Sequence, residues 1–451
     1  MKVAVIGGGV SGMSAAYRLR EAGATPCVFE ASDRAGGMLR TERTGGYVIE
    51  RGPDSIITTK PAAARLAEEL GLSTRIVRTN TDARGAYVVC RGELVRMPAG
   101  FQLLAPSNLE SLEASGILSE EGMARVRKEP DVACRTTLDD ESLGSFVRRR
   151  FGDEVLARIA QPMAGGIYGT DPEHLSLRAT LPRFLDMELE GSLIEGLARR
   201  AKAGAAQAAG ARYGLFISFD AGIGLLPETL AASLEGCIRL NTPAASIEKS
   251  GAGFQVNGEA FDAVIVATTA HKAARVLPVE CGEARASLES IPFGSGAIVT
   301  FAFEREEVPH ALDAAGFVVP AIEGLTLMAS TWSSVKWPGR APEGKVLLRA
   351  FMGGYHLPEV PTWDDARLVQ AARDDFKSLM GIEAMPQLTR VDRWVEMMPR
   401  YFVGHTGRMD ALDDLISVHD GLELAGNAYR GVGIPDSIAS GEAAAARVLA
   451  R

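Results

Sequence analysis

The feature of this chain that most limits its fold is a glycine-rich turn close to the N-terminus, set between an apolar segment and a helical one. Lys2–Ile6 predicts a short buried strand, Ser11–Glu21 predicts a helix, and Cys27–Glu30 predicts the following strand. A strand, a helix and a second parallel strand with tight connections form a right-handed crossover. We therefore predict an α/β (α+β) protein that begins with a Rossmann-type unit.

The turn itself has the glycine spacing of a dinucleotide fingerprint, G-x-G-x-x-G. Gly7 permits the tight turn, Gly9 lets the backbone approach a pyrophosphate, and Gly12 allows the helix to pack closely on the strand. The helix N-terminus offers free N–H groups to phosphates, and Glu30 can accept hydrogen bonds from a ribose. The alternative is a tight turn without a ligand. The context favours dinucleotide contacts at Gly7, Gly8, Gly9, Val10, Ser11 and Gly12.

The segment that follows Glu30, Ala31–Met38, favours FAD over NAD as the dinucleotide. In this segment Arg34 precedes the glycine pair Gly36 and Gly37. The glycine pair lets a second stretch of backbone pass close to a pyrophosphate, and Arg34 supplies positive charge there. The alternative interpretation is a surface turn with a solvated arginine.

A second glycine-rich loop lies near the C-terminus, where Gly426 and then Gly431–Asp436 precede the predicted final helix, Ser437–Leu449. A helix N-terminus there can stabilise negative charge on a flavin ring. Asp436 or Ser437 can also cap the helix in the ordinary way, and both interpretations can hold together. The sequence contains no second G-x-G-x-x-G, which favours an oxidase or dehydrogenase reduced by its own substrate over an NAD(P)H-dependent reductase.

Composition limits the class of protein and its compartment. The 451 residues, 46% of them hydrophobic and 23% charged, predict two or three units of an ordinary soluble globular protein. A formal net charge of −9 argues against nucleic-acid binding through overall charge. Five scattered cysteines without a C-x-x-C pair favour a reducing compartment. We expect no cleaved signal peptide and no transmembrane segment, hence a cytoplasmic protein, at most attached to a membrane face.

Local patterns predict further elements along the chain. From about residue 98 to 205 the pattern is mostly helical, and the Ala/Gly-rich stretch Ala201–Ala211 predicts a mobile connection. Pro61–Leu70 and Asp364–Met380 predict helices, and Ala86–Met97 predicts a hairpin. The other predicted strands are Phe261–Ala267, Ala297–Phe303, Gly316–Val319, Val346–Met352 and Leu422–Ala425.

Several short motifs are spread from the N-terminal unit to the last helix. They are Glu50–Ser55, Gly165–Asp171, His174–Ser176, Phe219–Gly222, Arg393-Trp394, Pro399–Tyr401, Gly404-His405 and Gly426–Asp436. Together they resemble the oxygen-dependent protoporphyrinogen oxidase family, which includes bacterial coproporphyrinogen III oxidases. The blocks Gly165–Asp171 and Gly426–Asp436 are the most specific parts of the resemblance.

The resemblance implies the fold of the amine-oxidase-like flavoproteins and a reaction. It implies a Rossmann-type FAD-binding domain at 1–85, 212–272 and 405–451, and a mixed-sheet substrate domain at 86–97 and 273–404. An inserted helical domain at 98–211 would correspond to the unit that several relatives use for membrane association. The implied reaction is six-electron oxidation of a porphyrinogen in heme biosynthesis, with O₂ as acceptor and H₂O₂ as product. No nucleic-acid partner is expected, and peripheral membrane contact and a homodimer are left open.

Site residues carried over by the resemblance fall into an FAD set and a substrate set. The FAD set comprises Gly7–Gly12, Glu30, Ala31, Arg34, Gly36, Gly37, Met38, Arg51, Gly52, Pro53, Asp54, Gly426, Val432, Gly433 and Ile434. A backbone contact to the adenine end falls at Ala244 or Ala245, where the family typically has a valine. The glycine-rich turn Gly165–Gly166 would face the flavin, and Val318 and Phe351 would clamp the tetrapyrrole.

One departure from the family pattern concerns carboxylate recognition. Some relatives place an arginine after the hairpin to pair with a substrate propionate, and the corresponding residue here is Gln102. Arg96, Arg40 or Lys60 would have to supply the charge instead. The last cysteine, Cys281, is far from the Gly426 block, so the FAD is expected to be non-covalent.

No catalytic side chain is assigned from the sequence, because a bound flavin carries the redox chemistry and no Ser/His/Asp triad or metal cluster is evident. His405 is interpreted as structural and Tyr429 as packing rather than as an acid–base group. Arg148–Arg150 suits either a solvated helix face or contacts to lipid or substrate carboxylates.

Three hypotheses remain open at this point. The leading one is a porphyrinogen oxidase, acting on protoporphyrinogen IX or coproporphyrinogen III. Gly52–Ser55 followed by Lys60-Pro61 leans toward the coproporphyrinogen branch. The second is an FAD-dependent amine oxidase or carotenoid-desaturase-like enzyme, and the third is a non-catalytic flavin-binding protein, against which the intact glycine loops argue.

Overall fold

A computed structural model describes residues 1–137, 139–202 and 215–451 of the chain. Two main sheets and a helical unit account for most of these residues. The strands are Lys2–Ile6, Thr25–Phe29, Thr41–Thr44, Tyr47–Glu50, Ile56–Ile57, Ile76–Arg78, Tyr87–Cys90, Glu93–Arg96, Phe101–Gln102, Ala105–Pro106, Phe216–Phe219, Ile238–Arg239, Ile247–Ser250, Gly253–Val256, Glu259–Phe261, Ala263–Val266, Phe293–Glu304, Gly316–Val318, Leu327–Trp332, Lys345–Gly353, Leu388–Pro399 and Leu422–Leu424.

Helices pack against both sheets, and they also make up most of the chain from residue 109 to residue 202. The α-helices are Val10–Glu21, Ala62–Glu69, Leu109–Ala114, Glu120–Arg127, Leu143–Phe151, Asp153–Val155, Gln161–Tyr168, Leu177–Thr180, Arg183–Leu189, Leu193–Lys202, Leu225–Ser233, Ala270–Val276, Gly282–Glu289, Ser333–Lys336, Asp365–Met380, His405–Ser417 and Ile434–Leu449. A π-helical turn, Leu156–Ala160, precedes the Gln161-Pro162 step, and the other short helices are of the 3₁₀ type.

The first sheet is a five-stranded parallel sheet. Its order is Ile238–Arg239, Thr25–Phe29, Lys2–Ile6, Ala263–Val266 and Leu422–Leu424. Ile6 pairs with Phe29 on one side and with Val266 on the other, so neighbouring strands end at the same edge. Both faces are buried and the strands are correspondingly apolar, as is usual for parallel sheets. In open parallel sheets this carboxyl edge is where ligands bind.

The second sheet has seven strands and mixed pairing. Its order is Leu388–Pro399, Phe293–Glu304, Lys345–Gly353, Leu327–Trp332, Gly316–Val318, Tyr87–Cys90 and Glu93–Arg96. Only the pairing of Gly316–Val318 with Tyr87–Cys90 is parallel within it. One face packs on the helix Asp365–Met380 through a core that includes Phe301, Phe317 and Phe376. Part of the opposite face packs on Tyr47 and Ile49, and another part lines a cavity.

The helical unit between the sheets has its own apolar core, which includes Leu112, Phe146 and Phe184. Within the arginine triplet Arg148–Arg150, Arg150 lies at the centre of this core, whereas Arg148 is exposed and pairs with Asp153 at 2.6 Å. Arg150 is fully buried and paired with fully buried Glu129, while Arg149 pairs with Glu141 at 3.0 Å. For Arg150, both interpretations taken from the sequence, a solvated face and a lipid contact, are therefore wrong. Among the described residues, no helix is both long and apolar enough to cross a bilayer.

Most of the predicted elements are confirmed, with ends shifted by a few residues. The strand and helix of the N-terminal crossover, the hairpin and the final helix are all present. The final helix begins at Ile434 rather than Ser437, and Asp364 caps the helix Asp365–Met380 by accepting a hydrogen bond from Arg367 N–H at 2.8 Å. The predicted connection Ala201–Ala211 begins too early, because the helix continues to Lys202, and its remainder lies outside the described residues.

Candidate active site

The glycines of the N-terminal turn are required by contacts at the carboxyl edge of the parallel sheet. Gly7 has a φ of +109°, and a Cβ there would lie 2.7 Å from the Ala267 carbonyl oxygen. A Cβ on Gly12 would lie 2.0 Å from the Gly7 carbonyl oxygen, which is sterically impossible without a backbone shift. The first helix can therefore approach the strand only with glycine at these positions.

Gly9 is different, because its missing side chain leaves open space. A Cβ at Gly9 would have nothing within 4 Å, and its φ of −71° is accessible to any residue. Gly9 is the N-cap of the helix Val10–Glu21, whose first turn has no side-chain cap and no acidic residue. The uncapped N–H groups and the open space beside them together suit an anionic group such as a pyrophosphate.

The second glycine segment packs on the first. Gly36 N–H donates to the Gly8 carbonyl at 2.8 Å, and a Cβ on Gly37 would lie 3.2 Å from Gly9 Cα. Arg34 holds this segment by donating to the Ala35 carbonyl at 3.0 Å and to the Gly37 carbonyl. Its guanidinium thus shapes the loop next to the turn.

The carboxylate of Glu30 is fixed at the end of the second strand. Its Oε2 accepts a hydrogen bond from Gly8 N–H at 2.7 Å, and its Oε1 accepts from Ser32 N–H at 2.8 Å. Ala31, between these residues, is exposed and Met38 is half-buried. A carboxylate held in this way keeps lone pairs for a further donor such as a ribose hydroxyl.

The two alanines predicted to contact an adenine differ in their hydrogen bonding. Ala245 N–H donates to Asn257 Oδ1 at 3.0 Å, whereas the Ala244 N–H has no partner within the described part of the chain. Of this pair, Ala244 therefore has the free donor.

The C-terminal loop leads to a helix that packs directly on the first one. A Cβ on Gly441 of the helix Ile434–Leu449 would lie 2.0 Å from the Ser11 carbonyl oxygen, so the two helices are in close contact. Gly433 is the N-cap, preceded by Val432, and its N–H donates to Asp436 Oδ2 at 3.2 Å. The sequence interpretation of Asp436 or Ser437 as the N-cap is therefore wrong in position, because the helix begins at Ile434 and Asp436, its third residue, accepts this hydrogen bond.

Tyr401 and His405 anchor the backbone of this loop. The Tyr401 hydroxyl donates to the Asn427 carbonyl at 2.6 Å and accepts from Gly431 N–H at 2.8 Å. The His405 ring stacks on Tyr401 with centroids 3.9 Å apart, and its Nε2 lies 2.8 Å from the Tyr429 carbonyl oxygen. Burial lowers the pKa of His405 to about 4, so the ring is neutral near pH 7 and Nε2–H can donate. The sequence interpretation of His405 as structural agrees with these contacts.

The segment Arg51–Asp54 joins the parallel sheet to the mixed sheet. Arg51 pairs with Asp392 at 2.6 Å and with Glu42. A Cβ on Gly52 would lie 2.2 Å from the Met38 carbonyl oxygen, so Gly52, Pro53 and Asp54 pass close under the second glycine segment. These last three residues also reach the wall of a large cavity.

This cavity, of about 780 Å³, lies against the mixed sheet, on the face opposite the helix Asp365–Met380. Cross-strand pairing aligns Val318, Ala329 and Phe351 in one row of its floor, and the neighbouring row includes Gly316 and Arg349. The facing walls come from the helix Gln161–Tyr168 and from the segment after the hairpin. Those walls contain Met163, Gly166, Ile167, Met97, Pro98, Ala99, Phe101, Leu103, Ser111, Ala114 and Ser115. A flat apolar ligand can therefore be covered on two sides.

The prediction that Gly165–Gly166 forms a turn is wrong. Both residues lie inside the helix Gln161–Tyr168, and the chain turns only at Gly169, with a φ of +58°. Gly165 is buried near Gln161, whereas a Cβ at Gly166 would project into open space. Gly166 lies within a helix because tertiary packing overrides the low helix propensity of glycine. Its missing side chain leaves space in the cavity.

The basic residues of the cavity are only partly those that the sequence suggested. Arg96 borders the cavity and pairs with Asp313 at 2.9 Å. Arg40, Lys60 and Gln102 are not among its lining residues, and Lys60 pairs instead with Asp436 at 2.6 Å. Sequence reasoning missed the other three basic lining residues, Arg84, Lys336 and Arg349. They belong to no local motif, so only their placement in the fold reveals them. Within the described ranges, no group of His, Cys, Asp or Glu side chains could hold a metal ion.

Comparison with known proteins agrees with this architecture. A family model described as flavin containing amine oxidoreductase matches residues 10–449. The coproporphyrinogen III oxidase of Bacillus subtilis is 34% identical over 99% of this chain and 97% of its own length. Protoporphyrinogen oxidase 2 of Arabidopsis thaliana is 28% identical over 99% of this chain and 94% of its own length.

A solved structure extends the similarity to the whole fold. A crystal structure from Exiguobacterium sp. 255-15, described provisionally as a protoporphyrinogen oxidase, superposes with a TM-score of 0.90 at 29% identity. The superposition covers 100% of this chain and 99% of the other. The chain therefore belongs to the flavin-containing amine oxidoreductase family, in the group formed by the coproporphyrinogen III oxidases and protoporphyrinogen oxidases.

Proposed function

We propose that this protein is an FAD-dependent oxidase that converts a porphyrinogen to the porphyrin in heme biosynthesis, with O₂ as acceptor and H₂O₂ as product. The observation that carries the proposal is the cavity of about 780 Å³, whose wall includes the segment Gly52–Asp54 that passes close to the second glycine segment. The 34% identity to the coproporphyrinogen III oxidase of Bacillus subtilis over nearly the whole chain supports the substrate class.

FAD fits the residues at the carboxyl edge of the parallel sheet. The open space at Gly9 and the uncapped N-terminus of the first helix suit its pyrophosphate, and Glu30 suits its ribose. Ala244 N–H is the donor for the adenine end, and Val432–Ile434 would lie by the flavin ring. Bound there, FAD would accept the electrons that leave the substrate.

Non-covalent binding is supported by the last cysteine of the chain. Cys281 is 2% exposed and packs in the core with Leu288 and Met409. Burial raises the pKa of its thiol to about 11, which disfavours the reactive thiolate. This residue is therefore unsuited to form a thioether with a flavin.

The cavity residues would bind and orient the substrate. Val318 and Phe351 contribute apolar surface from two positions of one cross-strand row, separated by Ala329, and Gly166 leaves room opposite them. Such surfaces exclude water and hold a macrocycle with its reacting carbon toward the segment Gly52–Asp54. No acid–base side chain is assigned, and Tyr429 is buried with a pKa raised by that burial, which favours packing.

The domain boundaries inferred from the resemblance form part of the proposal. The parallel sheet draws its strands from 1–85, 212–272 and 405–451, the expected FAD-binding domain. The mixed sheet draws its strands from 86–97 and 273–404, the expected substrate domain. The boundary at 211/212 falls outside the described residues. A cytoplasmic location is proposed on the scattered, unpaired cysteines.

The amine-oxidase alternative is disfavoured by the charges of the cavity. Its lining includes the four cations Arg84, Arg96, Lys336 and Arg349, and one carboxylate, Asp54, which is already paired with Lys336 at 2.9 Å. An ammonium substrate would meet net repulsion there, whereas a carboxylate-bearing substrate would be attracted.

The proposal is tested by aerobic turnover of the FAD-loaded full chain with coproporphyrinogen III and protoporphyrinogen IX. Porphyrin fluorescence should rise faster than in enzyme-free autoxidation, with H₂O₂ formed in proportion. A colourless protein that does not take up FAD, or fluorescence that never exceeds the autoxidation control with either substrate, would refute the proposal.

A further inference from the structure

A cluster of buried charges lies where the cavity meets the segment Gly52–Asp54. Lys336 Nζ is 2.9 Å from Asp54 Oδ2 and donates to Ser55 Oγ at 2.7 Å. Arg349 Nη1 is 3.8 Å from the same Asp54 oxygen, and Arg349 Nη2 donates to the Gly52 carbonyl. Asp54, Lys336 and Arg349 all line the cavity.

The cluster carries more positive than negative charge. Behind the cavity wall, Arg340 lies 3.6 Å from Glu50, and both are almost completely buried. Three cations, Lys336, Arg340 and Arg349, thus face two carboxylates, Asp54 and Glu50. Burial alone would raise the pKa of Asp54, yet Lys336 and Arg349 together hold it below its usual range, so Asp54 is fully ionised and the surplus is one positive charge.

A buried surplus charge is costly unless an anion or a dipole compensates it. Burial raises the pKa of Glu50 to about 7, so near neutral pH this carboxylate carries only part of its charge and the surplus grows. Arg349 is 1% exposed, and its Nε has no hydrogen-bond partner among the described residues. Lys336 has three N–H donors and uses them on Asp54 and Ser55. All three Lys336 donors are thus used, so the donor left over at this wall is Arg349 Nε, together with the surplus positive charge.

The wall next to these cations is open to a ligand. Thr331 pairs with Gly316 on one side and with Arg349 on the other, so Gly316 lies two strands, roughly 10 Å, from Arg349. Thr331, between them, also lines the cavity. The Phe351 ring lies 4.9 Å from the Arg349 guanidinium and limits its movement. An anion attached to a flat apolar body could reach the cations while the body rests on the floor.

We propose that Lys336 and Arg349 form an anion subsite of the cavity that binds a carboxylate of the substrate. The inference rests on the proposed porphyrinogen oxidation, and it assigns the carboxylate recognition that Gln102 does not provide. Arg96, a further basic lining residue, is paired with Asp313 at 2.9 Å, whereas the buried cluster keeps a surplus charge. Asp54 pairs with both cations of the subsite.

The subsite is tested by equilibrium binding of porphyrins to the FAD-loaded full chain, followed by quenching of porphyrin fluorescence. Coproporphyrin III is the charged probe, and its tetramethyl ester is the uncharged one. Lys336→Met should weaken binding of the acid by about 10- to 100-fold, the order expected when one cation several ångströms from the carboxylate is removed at an effective dielectric constant of about 20. It should leave the ester unchanged, and Lys336→Arg should restore most of the affinity for the acid.

Lys345→Met is the matched control, because Lys345 lies at the outer end of the strand that contains Arg349 and pairs with Glu304 away from the cavity. It should leave both affinities as in the wild type. If Lys336→Met does not fold, Lys336→Gln keeps a hydrogen bond to Asp54 without the charge, and it should give the same ratio of acid to ester binding.

The outcomes separate this inference from the proposed function. Equal weakening of acid and ester by Lys336→Met, or no weakening of either, would overturn the subsite while leaving porphyrinogen oxidation intact. A wild-type protein that binds neither porphyrin would overturn both. If Lys336→Met altered the flavin absorption spectrum and left both porphyrin affinities unchanged, the positive charge would act on the cofactor, and the subsite would be refuted.

Discussion

Gly9 and Gly12 lie three residues apart in one turn, yet alanine at Gly9 should weaken FAD binding, whereas alanine at Gly12 should destabilise the fold. At Gly9 a Cβ meets nothing within 4 Å and the backbone conformation is open to alanine. Replacing the N-cap glycine with alanine destabilises the helix slightly, and the less flexible unfolded chain stabilises the protein by a similar amount. The free energy of unfolding should therefore change by less than about 1 kcal/mol. In the proposed placement, however, the FAD pyrophosphate occupies that space.

For Gly9→Ala, we expect FAD affinity to fall while the apoprotein keeps its stability. Displacing the pyrophosphate from the helix N-terminus costs hydrogen bonds to a charged group, about 1.5–3 kcal/mol, or roughly 10- to 100-fold in Kd. For Gly12→Ala, the new Cβ lies 2.0 Å from a backbone oxygen, so the helix must move from the strand. That overpacking should destabilise even the apoprotein by about 1–3 kcal/mol.

Thermal unfolding of the apoproteins and titration with FAD, followed by quenching of flavin fluorescence, measure the two quantities separately. Gly23→Ala would not serve as a control because its φ is positive, whereas Gly407, inside a helix with open space around it, offers a neutral substitution. Wild-type FAD affinity in Gly9→Ala would refute the placement of the pyrophosphate against this turn. Wild-type melting of Gly12→Ala apoprotein would refute the close helix–strand contact.

Three further substitutions test the cavity, the helical unit and the C-terminal loop. In Gly166→Val, the new side chain projects into the cavity and should lower kcat/KM for porphyrinogen at least about 10-fold. FAD content and melting temperature should stay unchanged, since valine is favoured over glycine in a helix. Unchanged kinetics would contradict the cavity assignment. Arg150→Met leaves the Glu129 carboxylate buried without its cation and should lower the free energy of unfolding by about 3–5 kcal/mol. Adding Glu129→Gln should recover part of this loss. Urea titration measures both variants, and an unchanged free energy of unfolding in Arg150→Met would contradict the prediction. The pKa of His405 is lowered from 6.5 to about 4, so as pH falls the unfolded chain binds a proton at this histidine before the folded chain does. The stability of the wild type relative to His405→Phe should therefore be retained above pH 6.5 and should decline toward pH 4 by at most about 3 kcal/mol. A difference in melting temperature that does not depend on pH would refute this.

The parts of the fold that the sequence predicted are those specified by local patterns. The crossover Lys2–Phe29 combines an apolar run, a glycine turn and a helical period within thirty residues, and each signal points to the same structure. The strand Ala263–Val266 was predictable because a strand buried on both faces is continuously apolar. The glycine contacts at Gly7 and Gly12 follow directly from the fingerprint.

Other features depend on contacts between distant segments and were missed or misjudged. Gly165 and Gly166 suggested a turn, but packing of their helix against the mixed sheet outweighs glycine propensity. Arg150 suggested a surface, but its partner Glu129 lies 21 residues earlier in the chain. Lys336 and Arg349 meet Asp54 only because two strands and a short helix place them together, so no local motif marks them.

The central claim, electron transfer from a porphyrinogen to an FAD held by this chain, is tested most directly by anaerobic mixing. The FAD-loaded protein is combined with coproporphyrinogen III without oxygen, and the visible absorption band of oxidised flavin is followed together with porphyrin fluorescence. The account predicts that the flavin band is lost as porphyrin forms, and that both changes stop when the flavin is consumed. A flavin band that persists in the presence of excess porphyrinogen would contradict it.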